Sequence, residues 1–247
     1  MLLSELYLIY PRSMNFVPIL AKQDEAVVML QKILQIRGFQ VALSSFEEIE
    51  ENLPKCLLLF ISSEIWDSLA EDQKKWLTDR PTILITEKHL KVSELRSQNL
   101  AGFLRVPFEN EALFSIADDL QYRYGENRPE RSTIRYPLEK QCKLSFPENF
   151  KDKFTEVRAI VQDIAIGGFK AAITLEPGKS VEDLPPEGTL ELPNAGDTLT
   201  KEFSVRWSRK ERFFMTIGCQ WTEPNAEFTD KLLDIIAAES PLFFLNI

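Results

Sequence analysis

The sequence predicts two domains of different class: a doubly wound α/β domain over residues 1–123 and an all-β barrel with a terminal helix over residues 137–247. The chain of 247 residues is long for one compact domain and comfortable for two. Its first half alternates short apolar strands with amphipathic helices, whereas its second half has strand patterns without helices between them. These two patterns are typical of an α/β layer structure and of an all-β domain, respectively.

The first half contains five strand–helix pairs, which predict a parallel sheet with right-handed crossovers. Leu57–Ile61 is a continuous apolar run, as expected for a strand covered on both faces, and Gly38 marks the end of the first helix. The predicted strands are Leu6–Tyr10, Phe39–Leu43, Leu57–Ile61, Thr82–Thr86 and Gly102–Val106. The predicted helices are Glu25–Arg37, Phe46–Leu53, Ile65–Leu77, Val92–Gln98 and Asn110–Tyr122.

An arginine-rich segment, residues 124–136, interrupts this alternation. It lacks apolar periodicity and carries Gly125 and Pro129, which predicts a linker rather than a further helix. Its arginines stand out because the whole chain has a formal net charge of −9.

Six strands, with turn residues between them, predict a small antiparallel barrel in the second half. They are Leu138–Phe146, Glu156–Ile164, Gly168–Leu175, Gly188–Leu192, Thr200–Ser208 and Arg212–Thr222. A helix over Ala226–Ala238 follows, with Asn225 as its expected cap. We expect Trp207 and Trp221 in the core. The apolar tail Pro241–Leu245 is expected to dock on the protein itself or on a partner.

The composition excludes several classes of function. The acidic net charge argues against binding of nucleic-acid polymers or anionic membranes, and no apolar run is long enough for a membrane helix. The chain has one histidine, His89, and three widely spaced cysteines, so neither a histidine-based catalytic pair nor a metal site is expected. We therefore expect a cytoplasmic protein that is not an enzyme, has no cofactor, and keeps its cysteines reduced in the core.

The first half resembles the receiver domain of two-component signalling in its order of elements. Thr86 and Pro107 match that family's pattern, but the acidic residues of its phosphotransfer site have no counterpart here. Ile9-Tyr10-Pro11 stands where the acidic pair is expected, Ser62 at the acceptor position, and Val106 in place of the lysine. The resemblance therefore implies a degenerate receiver that is not phosphorylated by the family's chemistry.

The second half resembles the PilZ domain, which binds the bacterial second messenger cyclic di-GMP. Arg131 and Arg135 match the family's pair of arginines, and Tyr136-Pro137 follows them. In the later turn, Asp163 matches the acidic position and Gly168 the glycine. Ala165 stands where the family usually has serine, so one hydrogen bond, worth about 0.5–1.5 kcal/mol, is missing. The resemblance implies a cyclic di-GMP site formed by Arg128, Arg131, Arg135, Asp163, Ala165 and Gly168.

Two functions from different classes follow from these resemblances. The first is a cyclic di-GMP receptor that passes binding to an unidentified protein partner through residues 1–123. The second is a nucleotide-independent adaptor whose barrel has lost its ligand site, an alternative that Ala165 keeps open. A phosphorylated response regulator is a third reading, which Ser62 and Val106 oppose.

Overall fold

The protein forms two compact units. The computed structural model describes residues 16–108, 114, 118, 133–147, 156–174, 184–194, 196–210 and 214–245. One unit comprises Met1–Arg131 with Pro241–Ile247, and the other Ser132–Ser240. Within the described ranges, no helix is both long and apolar enough to cross a membrane.

The first unit is built on a six-stranded sheet. Its parallel strands are β1 (Phe16–Leu20), β2 (Gln40–Leu43), β3 (Leu59–Ser62), β4 (Thr82–Thr86) and β5 (Gly102–Arg105). Its described helices are α1 (Glu25–Ile36), α2 (Phe46–Asn52), α3 (Ser63–Ser68), α4 (Glu71–Leu77) and α5 (Val92–Ser97). The parallel strands lie in the order β5-β4-β3-β1-β2, which is the order of flavodoxin-like doubly wound sheets. The fold class predicted for this half is confirmed.

Local chemistry explains where these elements begin and end. Every residue of β4 is buried, as its β-branched apolar sequence predicts for a central strand. Helix α1 starts at Asp24, whose side chain accepts a hydrogen bond from the backbone N–H of Val27 at 2.8 Å. Gly38 follows the helix with a φ of 86°, a left-handed conformation that glycine adopts without strain.

The first described strand is β1, at Phe16–Leu20, which the sequence analysis did not identify. Pro18 lies inside it, opposite Ala42 of β2, and proline is disfavoured in a central strand because it has no N–H to donate. The sequence of this segment therefore does not predict a strand, although its last four residues are buried in the structure. The predicted strand Leu6–Tyr10 lies outside the described residues.

One predicted helix is divided in the structure, and another lies almost wholly outside the described residues. The predicted helix Ile65–Leu77 is two helices, α3 and α4, separated by Leu69 and Ala70 in extended conformation. No proline or glycine marks this break, and the side chain of Gln73 accepts a hydrogen bond from Ala70 N–H at 3.0 Å to begin α4. The predicted helix Asn110–Tyr122 lies outside the described residues, except for Phe114 and Asp118, which are helical.

The tail adds a strand to the first unit. Strand β12 (Leu242–Phe244) pairs antiparallel with β5, and all three residues are buried. The tail was predicted to belong to the barrel domain, residues 137–247, and its pairing with β5 corrects that prediction. The physical reason is that β5 would otherwise leave a row of unpaired backbone groups at the sheet edge. Gly102 permits the pairing, because a side chain there would collide with the backbone of Phe243.

The second unit is a closed six-stranded barrel. Its strands are β6 (Tyr136–Ser145), β7 (Glu156–Ala165), β8 (Gly168–Thr174), β9 (Glu187–Asn194), β10 (Asp197–Lys210) and β11 (Phe214–Trp221). They close in the order β10-β11-β8-β7-β6-β9, and every pairing is antiparallel. Helix α6 (Ala226–Glu239) follows, capped by Asn225. The predicted barrel with a terminal helix is confirmed.

Aromatic rings and buried thiols fill the barrel core. Phe169 stacks on Trp221 with centroids 4.8 Å apart, and Phe228 of α6 meets Trp221 at 5.2 Å. Cys142 and Cys219 are buried and unpaired, as is Cys56 in the first unit. Burial raises the pKa of Cys142 to about 12, because the thiolate loses its hydration. The expectation of buried, unpaired cysteines is confirmed.

Candidate ligand site on the barrel

The candidate site is built around an ion pair between Arg135 and Asp163. Arg135 lies immediately before β6, and Asp163 lies near the end of β7. Asp163 is directly opposite Pro137 in the β6–β7 pairing, which brings the two parts of the motif together. Arg135 Nη1 lies 3.3 Å from Asp163 Oδ1, and 42% of the arginine side chain is exposed against 20% of the aspartate. Arg135 and Asp163, which belong to the two separate halves of the sequence motif, are thus in contact.

Two irregularities in the strands aim these side chains. The β6–β7 pairing shifts register between Pro137 and Lys140, where Glu139 has a φ of 22°. The β7–β8 pairing shifts between Val161 and Asp163. Bulges of this kind redirect side chains and are common beside functional sites. Along β7, Asp163 therefore comes directly after a break in the regular pairing with both neighbouring strands.

Lys170 is a further residue of the candidate site, and it was not predicted from the sequence. It lies directly opposite Asp163 on β8, and its Nζ is 3.6 Å from Asp163 Oδ2. A signal was available, because the two-residue connection Ile166-Gly167 sets the hairpin register and places Lys170 between the buried residues Phe169 and Ala171. One carboxylate, that of Asp163, therefore lies between two partly exposed cations.

Ala165 and Gly168 have structural roles in the turn. Ala165 is 4% exposed, and its carbonyl accepts a hydrogen bond from Trp221 Nε1 at 3.0 Å. A side chain on Gly168 would collide with the carbonyl of Cys219 on the neighbouring strand β11. The close approach that requires this glycine is thus made by the barrel's own backbone. Contact of either residue with a ligand stays a prediction.

The remaining arginines of the predicted site, Arg128 and Arg131, lie outside the described residues. The described part of the arginine-rich segment, called the arm from here on, starts at Thr133, whose Oγ1 would lie 3.8 Å from a β-carbon on Gly167. Thr133 therefore lies beside the β7–β8 turn, two residues before Arg135.

Trp207 and Trp221 differ in exposure. Trp221 is 3% exposed, as predicted for a core residue, but Trp207 is 44% exposed, so the prediction of a core position is wrong for this residue. A pocket of about 330 Å³ on the barrel is lined by residues that include Ser145 of β6, Gly188 of β9 and Phe203 of β10. It shares no residue with the Arg135–Asp163–Lys170 cluster, which is an open surface.

The ends of the described strands β1, β3 and β4 in the first unit lack the carboxylates of a phosphotransfer site. Strand β1 ends at Leu20, and the first acidic residue after it, Asp24, caps α1. The acidic pair was sought at Ile9-Tyr10-Pro11, and the end of β1 at Leu20 corrects that position. Ser62 ends β3 and Thr86 ends β4, where the hydroxyl of Thr86 accepts a hydrogen bond from Lys88 N–H at 3.0 Å. Absence of phosphorylation stays a prediction.

Comparisons with known proteins found partial structural similarity. No protein-family model and no curated protein matches the chain. Among solved structures, the PilZ domain of YcgR from Escherichia coli with c-di-GMP is 14% identical, with a TM-score of 0.37, over 45% of this chain and 92% of that chain. The inhibitor of motility MotI/DgrA of Bacillus subtilis is 17% identical, with a TM-score of 0.34, over 44% of this chain and 50% of that chain. An orphan response regulator of H. pylori is 16% identical, with a TM-score of 0.37, over 46% of this chain and 99% of that chain.

Proposed function

We propose that this protein is a receptor for cyclic di-GMP, which binds at the cluster formed by Arg135, Asp163 and Lys170. The observation that supports this most is the contact between Arg135 and Asp163, which joins the two separated halves of the sequence motif. Arg128 and Arg131 complete the proposed site from the same arm. The two halves of the sequence motif and their contact on the barrel both support cyclic di-GMP as the ligand.

Cyclic di-GMP matches the chemistry of this cluster. It is a dianion that carries two guanines, so its binding requires cations for the phosphates and both donors and acceptors for the bases. The guanidinium fork of Arg135 binds a phosphate or the O6/N7 edge of guanine with two parallel hydrogen bonds. Lys170 supplies a point charge, and Asp163 accepts hydrogen bonds from guanine N–H groups.

The ion pair already present does not prevent this binding. A partly exposed salt bridge contributes about 0–1 kcal/mol, because water and salt screen it. A hydrogen bond to a charged group contributes about 1.5–3 kcal/mol, and a phosphate offers Arg135 more than one. The exchange of Asp163 for phosphate, or the sharing of Arg135 between them, therefore favours the ligand. The pair holds the arginine near its binding position until then.

Ala165 supports the alternative of a nucleotide-independent adaptor. The side chain is almost fully buried and has no hydroxyl to offer a ligand. The loss of one neutral hydrogen bond weakens binding by very roughly threefold to tenfold, which a site with several charged contacts tolerates. The receptor function is therefore preferred.

Calorimetric titration of the full-length protein with cyclic di-GMP tests the receptor function. We expect saturable binding at a defined stoichiometry, and no saturable binding of GMP at the same concentrations, because GMP places one base and one phosphate where the cyclic dinucleotide places two of each. Absence of binding by cyclic di-GMP would contradict the receptor function and favour the adaptor.

We further propose that ligand binding is passed to a protein partner through residues 1–123. The chain passes between its two units at residues 131–132 and again at 240–241, so the arm that carries Arg135 is one of two connections. A ligand shifts such an equilibrium only by its differential affinity for the two arrangements, and contacts to the arm supply that difference. Hydrogen exchange over residues 124–136 should slow on ligand binding. If neither hydrogen exchange there nor small-angle scattering of the whole protein changes, residues 124–136 only hold the ligand and do not transmit its binding.

A further inference from the structure

The pocket of about 330 Å³ on the barrel has an acidic and hydroxyl-rich lining. Glu187 lines it from β9 and Glu202 from β10. The rest of its lining is hydroxyl-bearing, apolar or glycine, and among the described residues no lysine, arginine or histidine contributes to it. A volume of this size is at the lower end of the range for small-molecule sites. The pocket therefore has room for a small ligand and carries negative charge.

Strand pairing places hydroxyl groups beside one of the carboxylates. Ser145 of β6 is directly opposite Thr189 of β9, and Thr189 is directly opposite Glu202 of β10. Thr222 follows β11, and its backbone N–H donates a hydrogen bond to the carbonyl of Glu202 at 3.0 Å. Directly opposed residues share a face of the sheet, so the hydroxyls of Ser145 and Thr189 lie on the same face as the Glu202 carboxylate. This row of oxygen atoms can accept hydrogen bonds from a bound donor.

Glu187 brings a second carboxylate to the same face of the barrel. It lies two residues before Thr189 on β9, directly opposite Ser204, which lies two residues after Glu202 on β10. Glu187 and Glu202 are therefore diagonal neighbours on adjacent strands, with backbones about 7–8 Å apart. Two negative charges at this spacing repel each other, and a ligand with two positive charges at a similar spacing removes that repulsion.

Neither of these carboxylates forms an ion pair within the part of the chain that the structure describes. Glu191, on the same face of β9, differs from them, because Lys143 Nζ lies 3.8 Å from its Oε1. Lys201 is next to Glu202 in the chain, but its Nζ donates a hydrogen bond to the carbonyl of Glu223 at 2.9 Å. Both nearby lysines are thus engaged outside the pocket, and the pocket keeps the negative charge of its two carboxylates.

Aromatic rings form the apolar side of the pocket. Phe146 and Phe203 both line it, with their ring centroids 6.0 Å apart in an edge-to-face arrangement. Gly188 permits their close approach, because a β-carbon there would lie 2.8 Å from Cζ of Phe203 and 2.9 Å from Cδ1 of Phe146. Ring surfaces of this kind are favourable contacts for the methylene groups of a ligand, whereas the carboxylates bind its charged ends.

We propose that this pocket binds a small organic dication, an alkyl diamine whose two ammonium groups pair with Glu187 and Glu202. An ammonium group donates three hydrogen bonds and accepts none, which matches a lining of carboxylates and hydroxyls. Among the described residues, no group of three or more histidine, cysteine, aspartate or glutamate side chains could hold a metal ion, so an organic cation fits better. The pocket is thus a second site, of opposite charge preference to the one proposed for cyclic di-GMP.

Calorimetric titration of the full-length protein with putrescine, a four-carbon diamine, at low salt tests this site. We expect saturable binding, and weaker binding of butylamine, because it has only one ammonium group. Glu187→Gln and Glu202→Gln should each weaken putrescine binding by about two- to fivefold, as expected for partly exposed ion pairs. The double variant should lose about the product of the two effects. Glu191→Gln is the matched control, because it makes the same charge change on β9 outside the pocket and should bind like the wild type.

Three results would overturn the diamine site: no saturable binding of putrescine, equal affinity for putrescine and butylamine, or wild-type affinity in the double variant. Glutamine keeps the size of glutamate, and an unchanged melting temperature of each variant without ligand shows that the barrel is intact. The double variant should bind cyclic di-GMP like the wild type, because the pocket shares no residue with the Arg135–Asp163–Lys170 cluster. Failure of the diamine site and failure of the proposed receptor function are therefore distinguished by the two ligands.

Discussion

Replacement of Phe243 by alanine should release the tail from the first unit. Phe243 is the central residue of β12, it is fully buried, and its ring lies 5.6 Å from that of Phe103 on β5. Truncation of a buried phenylalanine costs about 3–5 kcal/mol, as lost transfer free energy plus the cavity left behind. That is a large share of the roughly 5–15 kcal/mol by which a typical domain is stable. The variant should therefore lose the tail strand or unfold the first unit.

Backbone hydrogen exchange reports this loss where it occurs. The N–H of Arg105 donates to Pro241 and that of Leu245 donates to Ala101, so both amides are protected only while the tail is paired. A loss of 3 kcal/mol or more should speed their exchange by about two orders of magnitude or more. Ile36→Ala is the control, because this side chain is 65% exposed and its removal should change stability by about 0.5 kcal/mol at most. Wild-type exchange in Phe243→Ala would refute the tail's role in the sheet.

Three further predictions follow from the barrel. Lys170→Ala should weaken cyclic di-GMP binding and reduce its dependence on salt, because one cation near the dianion is lost, whereas Arg158→Ala should do neither in the same titrations. Gly168→Ala should lower the melting temperature of the barrel with or without ligand, because its β-carbon meets the backbone of β11, whereas the β-carbon of Gly167→Ala would make only an ordinary contact, 3.8 Å from Thr133 Oγ1, and this variant should melt like the wild type. Cys142 should resist a thiol reagent at pH 8 until the protein unfolds. Because burial raises the pKa of Cys142 to about 12, almost none of its thiol is ionised at pH 8, and unfolding restores the ordinary pKa. Rapid labelling of the native Cys142 would contradict its burial.

The sequence predicted the elements whose local chemistry agrees with their final surroundings. The apolar run Thr82–Thr86 is buried on both faces, and its predicted bounds match β4. Asn225 caps α6 through a hydrogen bond from Phe228 N–H, as its position before an amphipathic helix indicates. The six strands of the barrel were predicted for the same reason, because turn residues separate them in sequence. In all these cases the deciding interactions are local.

The features that the sequence did not predict depend on distant parts of the chain. Strand β1 was not predicted because Pro18 lies within it. A proline argues against a strand when only the local sequence is considered, and the local sequence does not show which strands pair with the segment. The tail strand at Leu242–Phe244 pairs with β5, more than a hundred residues earlier, which no local pattern reveals. Trp207 has a strand-like sequence on either side, and only the bulge at Arg206 and the glycine across from it explain its exposure.

The candidate site was predictable only in part, because some of its residues belong to a spaced sequence motif and others are brought there by strand pairing. Arg135 and Asp163 came from a spaced motif, and their contact gives that spacing a physical meaning. Lys170 required the register of the β7–β8 hairpin, which follows from the two-residue connection between the strands.

The central claim is that Arg135 binds an anionic ligand, cyclic di-GMP, on the outer face of the barrel. Titration of Arg135→Ala at several salt concentrations tests it most directly, with Arg158→Ala as the matched control. Arg158 is an exposed arginine on β7 near the far end from Asp163, so its removal changes the net charge equally. Loss of charged hydrogen bonds worth about 1.5–3 kcal/mol should weaken binding by about 10- to 150-fold in Arg135→Ala, with a shallower salt dependence. Equal affinity in the wild type, Arg135→Ala and Arg158→Ala would contradict the claim.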